Sequence, residues 1–225
     1  MFDHINEEEF YNEYYELLIN RVTHSTMSLE KDLGNPDDSK NAIRLRDNMR
    51  AFKYLLGKNN EALSEQVIIN TANMINASSM YISNGYRSTG KCIAESDIPI
   101  SNPENIEYDM KNLLNDYYHN WKDMNPYERE ARFHIQFIKI HPFEDGNGRT
   151  ARLILNASLL KQNLAPVIIT EDLDEYYKSY IRDESVEGMT NLFKSQAQKE
   201  KFVFDELQKE YYSNLENIEK GFPLK

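Results

Sequence analysis

Apolar residues recur along most of the chain at intervals of three and four, the spacing that gives a helix one buried stripe. Phe10, Tyr14, Leu17 and Leu18 mark a helix from Glu7 to Asn20. A shorter one is expected over Val22 to Asp32, stopping near Gly34-Asn35-Pro36. Ser39 is placed to cap a helix that runs to about Leu56 and is ended by Gly57. Another is expected from Asn60 to about Ile75. Helices resume from Pro103 to about Trp121, and Pro126 suits the first turn of one that carries Ile135, Phe137 and Ile138 to His141. After a glycine-rich break, a helix is expected from about Gly148 to Gln162. The remainder, roughly Asp172 to Arg182 and Thr190 to Lys220, is again helical and very polar at its end.

The stretch from Ser78 to Pro103 departs from this period. Tyr81, Ile82, Tyr86, Cys92, Ile93, Ile98 and Ile100 lie among Gly, Ser, Asn and Pro, which predicts a short hairpin with loops and the only β-like segment. The expected fold class is all-α with one small β-hairpin. No repeat, low-complexity tract or linker divides the chain. It reads as a single domain over 1–225, with N-terminal helices in 1–57, a core in 60–195 and a C-terminal helix in 196–225.

Composition narrows the function classes. The chain has 225 residues, 40% hydrophobic and 28% charged, which is a globular composition with enough length for a core. With 37 acidic against 26 basic residues the net charge is −11, which argues against a broad nucleic-acid-binding surface. Cys92 is the single cysteine, so an internal disulfide and a multi-cysteine zinc site are excluded. No apolar run approaches the ~20 residues that span a bilayer. The opening MFDHINEEEF lacks the form of a signal peptide, so a cytoplasmic protein with no membrane partner is expected.

The chemistry concentrates in His141-Pro142-Phe143-Glu144-Asp145-Gly146-Asn147-Gly148-Arg149-Thr150-Ala151-Arg152, between two apolar helical runs. Gly146 and Gly148 permit backbone conformations closed to other residues and a close approach to a ligand. The loop opens a helix whose first N–H groups lack intrahelical partners and attract anions. Arg149 and Arg152 are three apart and share a helix face, where two guanidinium forks suit a polyphosphate. Asp145 is a hard oxygen ligand suited to Mg²⁺ bridging phosphates. His141 is a titratable base able to take a proton from a hydroxyl. Together these are the parts for transferring a phosphorus group onto a hydroxyl. Neither a P-loop pattern nor the protein-kinase set is present. His4, His24, His119 and His134 lack comparable company and read as structural or surface residues.

The segment resembles the signature of the Fic (Fido) family, HxFx[DE]GNGRxxR, matching at His141, Phe143, Asp145, Gly146, Asn147, Gly148, Arg149 and Arg152. The wider resemblance covers roughly Asn60 to Ser195. It implies a compact helical bundle with a hairpin flap, and protein adenylylation: AMP moves from ATP to a Ser, Thr or Tyr hydroxyl of a target protein or of the chain itself. By that resemblance His141 deprotonates the hydroxyl and Asp145 holds Mg²⁺ on the α- and β-phosphates. Gly146, Asn147 and Gly148 cradle those phosphates, Arg149 meets the β-phosphate and Arg152 the γ-phosphate, while Phe143 anchors the loop. Gly148 and Arg149 favour AMP transfer over the phosphate transfer of Doc-type relatives, which lack the second Gly and carry a Lys.

Residues 85–94 resemble the family flap, which aligns a target segment by strand addition; Lys91, Cys92, Ile93 and Ala94 then lie over the nucleotide. Tyr176 and Tyr177 resemble the helix that walls the adenine, and the Asn that relatives place one or two turns later falls on Asp183 or Glu184. Many relatives carry an inhibitory helix, [ST]xxxE[GN], whose Glu pairs with the second signature Arg. Thr26-Met27-Ser28-Leu29-Glu30 matches it, with Lys31 where the family prefers Gly or Asn, and places the brake within 22–32. Two other readings stay open. One is removal of AMP from a modified protein, with Glu30 positioning water. The other is a toxin–antitoxin or regulatory module with little turnover, against which the intact His141, Asp145 and Arg149 speak. A second copy of the chain is also admitted as a partner.

Overall fold

The computed structural model describes residues 3–30, 39–58, 61–79, 85–90 and 98–219. Eight α-helices occur among them: α1 (Asp3–Leu29), α2 (Ser39–Gly57), α3 (Glu65–Ile75), α4 (Ile106–Asn115), α5 (Pro126–Ile140), α6 (Asn147–Lys161), α7 (Asp174–Arg182) and α8 (Val186–Glu219). No strand occurs among the described residues, so the hairpin expected between Ser78 and Pro103 is not seen. Residues 85–90 run as irregular backbone, and Lys91, Cys92, Ile93 and Ala94 lie outside the described residues. No described helix is long and apolar enough to cross a membrane.

The first two expected helices are one. Nothing between Asn20 and Val22 breaks a helix, and the buried stripe passes straight through Leu18, Ile19, Val22, Thr23, Thr26 and Met27. The Thr23 hydroxyl donates to the Ile19 carbonyl at 2.7 Å, which satisfies its polar group inside the helix. The chain then turns at Glu30, whose N–H bonds the Met27 carbonyl at 3.2 Å. α3 starts later than the apolar pattern suggests, at Glu65, because Ser64 caps it by accepting from the Val67 N–H. Pro126 does open α5, behind an Asn125 cap.

α6 is the centre of the bundle. It is buried on nearly every side, including Ala151, Leu153, Ile154, Leu155, Ala157 and Leu159, and it packs against α1, α2, α3 and α5. Asn156 pins the following segment beneath it, donating to the Val167 carbonyl and accepting from the Val167 N–H. α1 is held by α8. Phe10 packs on Phe204 and Tyr211 with ring centroids 5.6 and 5.2 Å apart, Tyr14 meets Phe204 edge-on, and Arg21 pairs with Glu200 at 2.6 Å. That anchorage sets the C-terminal end of α1 against the N-terminal end of α6.

Candidate active site

The loop between α5 and α6 is built from side-chain braces. α5 ends at Ile140, and His141 takes the left-handed conformation, φ 51 and ψ 59, which costs a non-glycine residue about 1–2 kcal/mol. Phe143 is buried between Phe137 and Tyr86. The Asn147 side chain clamps it, accepting from the Phe143 N–H at 2.9 Å and donating to the Phe143 carbonyl at 2.8 Å. Asn147 therefore braces the loop through its amide and has only its backbone N–H at the helix start. Gly146 sits at φ 80, where a Cβ would press on Asn76 and Ile75 at 3.2 Å. Asn76, at the end of α3, donates to the Asp145 carbonyl at 2.8 Å. Gly146 offers no side chain to cap α6, so the cap leaves the first N–H groups for another acceptor.

The charged groups converge on that helix start. Arg149 is buried and donates to Asp145 Oδ2 at 2.9 Å, while Asp145 Oδ1 accepts from the Gly146 N–H at 2.7 Å. Arg152 is also buried. Its Nη2 donates to Glu30 Oε1 at 2.5 Å and to the Thr26 carbonyl at 3.0 Å, and its Nη1 to the Tyr177 hydroxyl at 3.3 Å. Thr26 thus takes part through its backbone. The Glu30 carboxylate lies directly over Gly148, where any Cβ would collide with it. Burial opposes ionisation of Glu30, but the Arg152 charge, its hydrogen bond and the Arg149 charge outweigh this and hold the carboxyl below its ordinary value. A carboxyl lowered on folding stabilises above its unfolded pKa and loses that contribution as pH falls through the lowered value. The gap in melting temperature between wild type and Glu30→Gln is therefore expected to stay flat from about pH 6 to 8 and to close below about pH 4. A gap that shrinks between pH 8 and 6 would contradict the ion pair.

His141 is half-buried, and its Nδ1 lies 3.3 Å from the Ile138 carbonyl. A carbonyl only accepts, so this contact is a hydrogen bond in the tautomer that carries its proton on Nδ1. Tyr177 is buried rather than open to a base: its hydroxyl receives Arg152 and shares a 2.7 Å hydrogen bond with His134 Nε2. Burial, reinforced by the Arg152 charge, pushes His134 down to about 3, so it is neutral. Tyr176 is exposed, 61% of its surface being accessible. Glu184 receives the Lys139 ammonium, and Asp183 the Arg182 guanidinium.

The structure thus brings Glu30, Thr26, Asp145, Gly146, Asn147, Gly148, Arg149, Arg152 and Tyr177 to one helix start, with His141 at the loop's other end. Sequence reasoning missed the roles of Asn76 and His134, which have no motif of their own, and placed Arg87 only in the flap start, not at the His141 carbonyl 54 residues away. Among the described residues no group of three or more His, Cys, Asp or Glu is placed to hold a metal ion. Asp145, 42% of its side chain accessible, is a hard oxygen ligand. One carboxylate fits Mg²⁺, which takes its other ligands from phosphates and water.

Residues 62–159 match the model of the Fic/DOC family. A protein adenylyltransferase Fic of Nematostella vectensis is 42% identical over 97 residues, which cover 41% of this chain and 22% of that relative. The chain therefore spans well under half the length of that relative. Among solved structures, a Fic-domain-containing signaling protein from Bacteroides thetaiotaomicron superposes with a TM-score of 0.69 over 96% of this chain and 93% of its own, at 18% identity. IbpAFic2, crystallised covalently tethered to Cdc42, superposes with a TM-score of 0.62 over 80% of this chain and 61% of its own, at 20% identity. These likenesses show the fold.

Proposed function

We propose, from the match of residues 62–159 to the Fic/DOC family model, that the chain is a protein adenylyltransferase held in check by Glu30. It moves AMP from ATP to a Ser, Thr or Tyr hydroxyl of a target protein. The observation that carries this reading is the Glu30 carboxylate on Arg152 and over Gly148. An acidic side chain occupies the place that a helix N-terminus and two guanidinium groups prepare for an anion.

His141 Nε2 takes the proton of the target hydroxyl as its oxygen forms a bond to the α-phosphorus. The bond from that phosphorus to the α–β bridging oxygen breaks, and pyrophosphate leaves with the bonding electrons. Arg149, Arg152 and the first N–H groups of α6 stabilise charge on the phosphates. Asp145 would hold Mg²⁺, which supplies charge neutralisation on the phosphates. Phe143 and Asn147 keep the loop in shape, and Tyr177 orients Arg152. The partner is a protein presenting a hydroxyl, a reading supported by the likeness to IbpAFic2, which was crystallised in complex with adenylylated Cdc42.

While Glu30 holds Arg152, a γ-phosphate competes for the same fork. The reverse reaction has support in the same contact, since Glu30 keeps 39% of its side chain accessible beside the phosphate position and can orient water there. Incubation with an adenylylated protein and no ATP separates the two: release of AMP by wild type but not by Glu30→Gly assigns the reverse step. In a Glu30→Gly background, Arg149→Ala and Arg152→Ala are each expected to weaken Mg-ATP binding about tenfold or more by calorimetry. Unchanged affinity in both would remove the polyphosphate site.

A further inference from the structure

Arg87 is a buried cation whose hydrogen-bond partners are backbone carbonyls. It is 3% exposed. Its Nε donates to the His141 carbonyl at 2.7 Å, Nη1 to the Thr89 carbonyl at 2.7 Å, and Nη2 to the Ser101 carbonyl at 2.5 Å and the Ile140 carbonyl at 3.5 Å. Its own N–H donates to the Pro142 carbonyl at 2.8 Å. Burial lowers its pKa, against the influence of the Glu144 carboxylate. Three successive carbonyls, from Ile140 to Pro142, therefore end on one residue. Of these only the Ile140 carbonyl belongs to α5, where it is one of the last carbonyls, which lack partners in the helix and carry its negative dipole end; those of His141 and Pro142 belong to the turn that follows.

His141 is the middle residue of that triplet, and its backbone is left-handed without being glycine. Its N–H is held by the Phe137 carbonyl at 3.0 Å, and its carbonyl by Arg87. The two bonds bracket the turn that aims the imidazole. The segment around Arg87 is fastened to the same loop at two more points. Thr89 donates to Glu144 at 2.7 Å, and the Tyr86 ring packs on Phe143 while its hydroxyl donates to Glu65.

We infer that Arg87 is a positioning residue that fixes the left-handed turn at His141, and so the direction from which the imidazole reaches the substrate hydroxyl. The inference rests on the adenylyltransferase reading for its kinetic consequence and on the geometry alone for the rest. A planar fork spanning carbonyls from three segments has no equivalent in lysine, whose ammonium keeps the charge but not the spread of donors.

The test uses the full chain with Glu30→Gly, into which Arg87→Lys and Arg87→Met are introduced. Transfer of AMP is measured as kcat and KM for ATP. Histidine labelled with ¹³C at Cε1 reports each imidazole by NMR, the His141 signal being assigned by its loss in His141→Gln. Arg87→Met is expected to lower kcat about 10²-fold while KM for ATP stays within about twofold, with Arg87→Lys between the two. The His141 signal should move in both variants, and those of His24 and His119 should not. An Arg87→Lys protein with the parental kcat and an unmoved His141 signal overturns the inference. So does a loss of kcat matched by an equal loss of ATP affinity. If Arg87→Met does not fold, Arg87→Lys carries the comparison alone. If the parental Glu30→Gly protein transfers no AMP, the activity reading fails, and the NMR comparison still decides the role of Arg87.

Discussion

In the Glu30→Gly variant, AMP transfer is expected to rise about 10- to 100-fold over wild type, the range of a hydrogen bond to a charged group. The argument is geometric. Glu30 Oε1 holds Arg152 Nη2 at 2.5 Å and covers Gly148. A phosphate must displace that carboxylate to reach the guanidinium, so part of its binding free energy is spent on the exchange. Glycine removes the competitor and vacates the space. Arg152 remains oriented by the Thr26 carbonyl and the Tyr177 hydroxyl, at 3.0 and 3.3 Å. The variant should also melt lower than wild type without nucleotide, because a buried guanidinium loses its counter-charge, and Mg-ATP should restore most of the difference. Wild-type transfer rates in Glu30→Gly would remove the brake and leave the transfer reading standing.

The second large effect is at His141. His141→Ala in the Glu30→Gly background is expected to lower kcat about 10²- to 10⁴-fold, the usual worth of a positioned general base. Mg-ATP affinity should not change, because the arginines and the helix start belong to α6, which α1, α2, α3 and α5 hold in place. The bonds from Arg87 and to the Phe137 carbonyl run to the backbone of residue 141, so they do not depend on the side chain that alanine removes. A fall in ATP affinity as large as the fall in kcat would mean that His141 supports the binding loop instead of taking the proton.

The residues proposed to meet the phosphates were legible because they lie in one short stretch whose spacing suggests that chemistry. A loop, a helix start and two arginines three apart need no distant partner to be recognised. The helical bundle was legible for a similar reason, since apolar period and caps are local. Where the structure departs, the missing information is long-range. The break expected near Arg21 does not occur because the stripe of Ile19, Val22 and Thr26 is continuous, and continuity was decided by packing on α6 and α8. Tyr177 suits an adenine wall by its position in sequence, but its hydroxyl is placed between Arg152 and His134 by α5. Asn147 reads as a phosphate contact, yet its amide closes on Phe143 four residues back. Arg87 carries no local sign that its partners sit at the end of α5, 54 residues away for His141. The hairpin expected in 78–103 rested on residue types and on the flap resemblance, and the described part of that stretch is fastened to the end of α5 and the loop after it, by the Arg87 and Ser101 N–H groups and by side chains, with no strand pairing among the described residues.

The central claim is that the phosphorus transferred is the α one. The most direct measurement incubates the Glu30→Gly protein and a lysate with Mg-ATP labelled at the α position or, in parallel, at the γ position. The account predicts that the added protein raises protein-bound label from α-labelled ATP and not from γ-labelled ATP, relative to lysate alone, and that the rise is lost in His141→Ala. A rise over lysate alone from the γ position, with none from α, would contradict it.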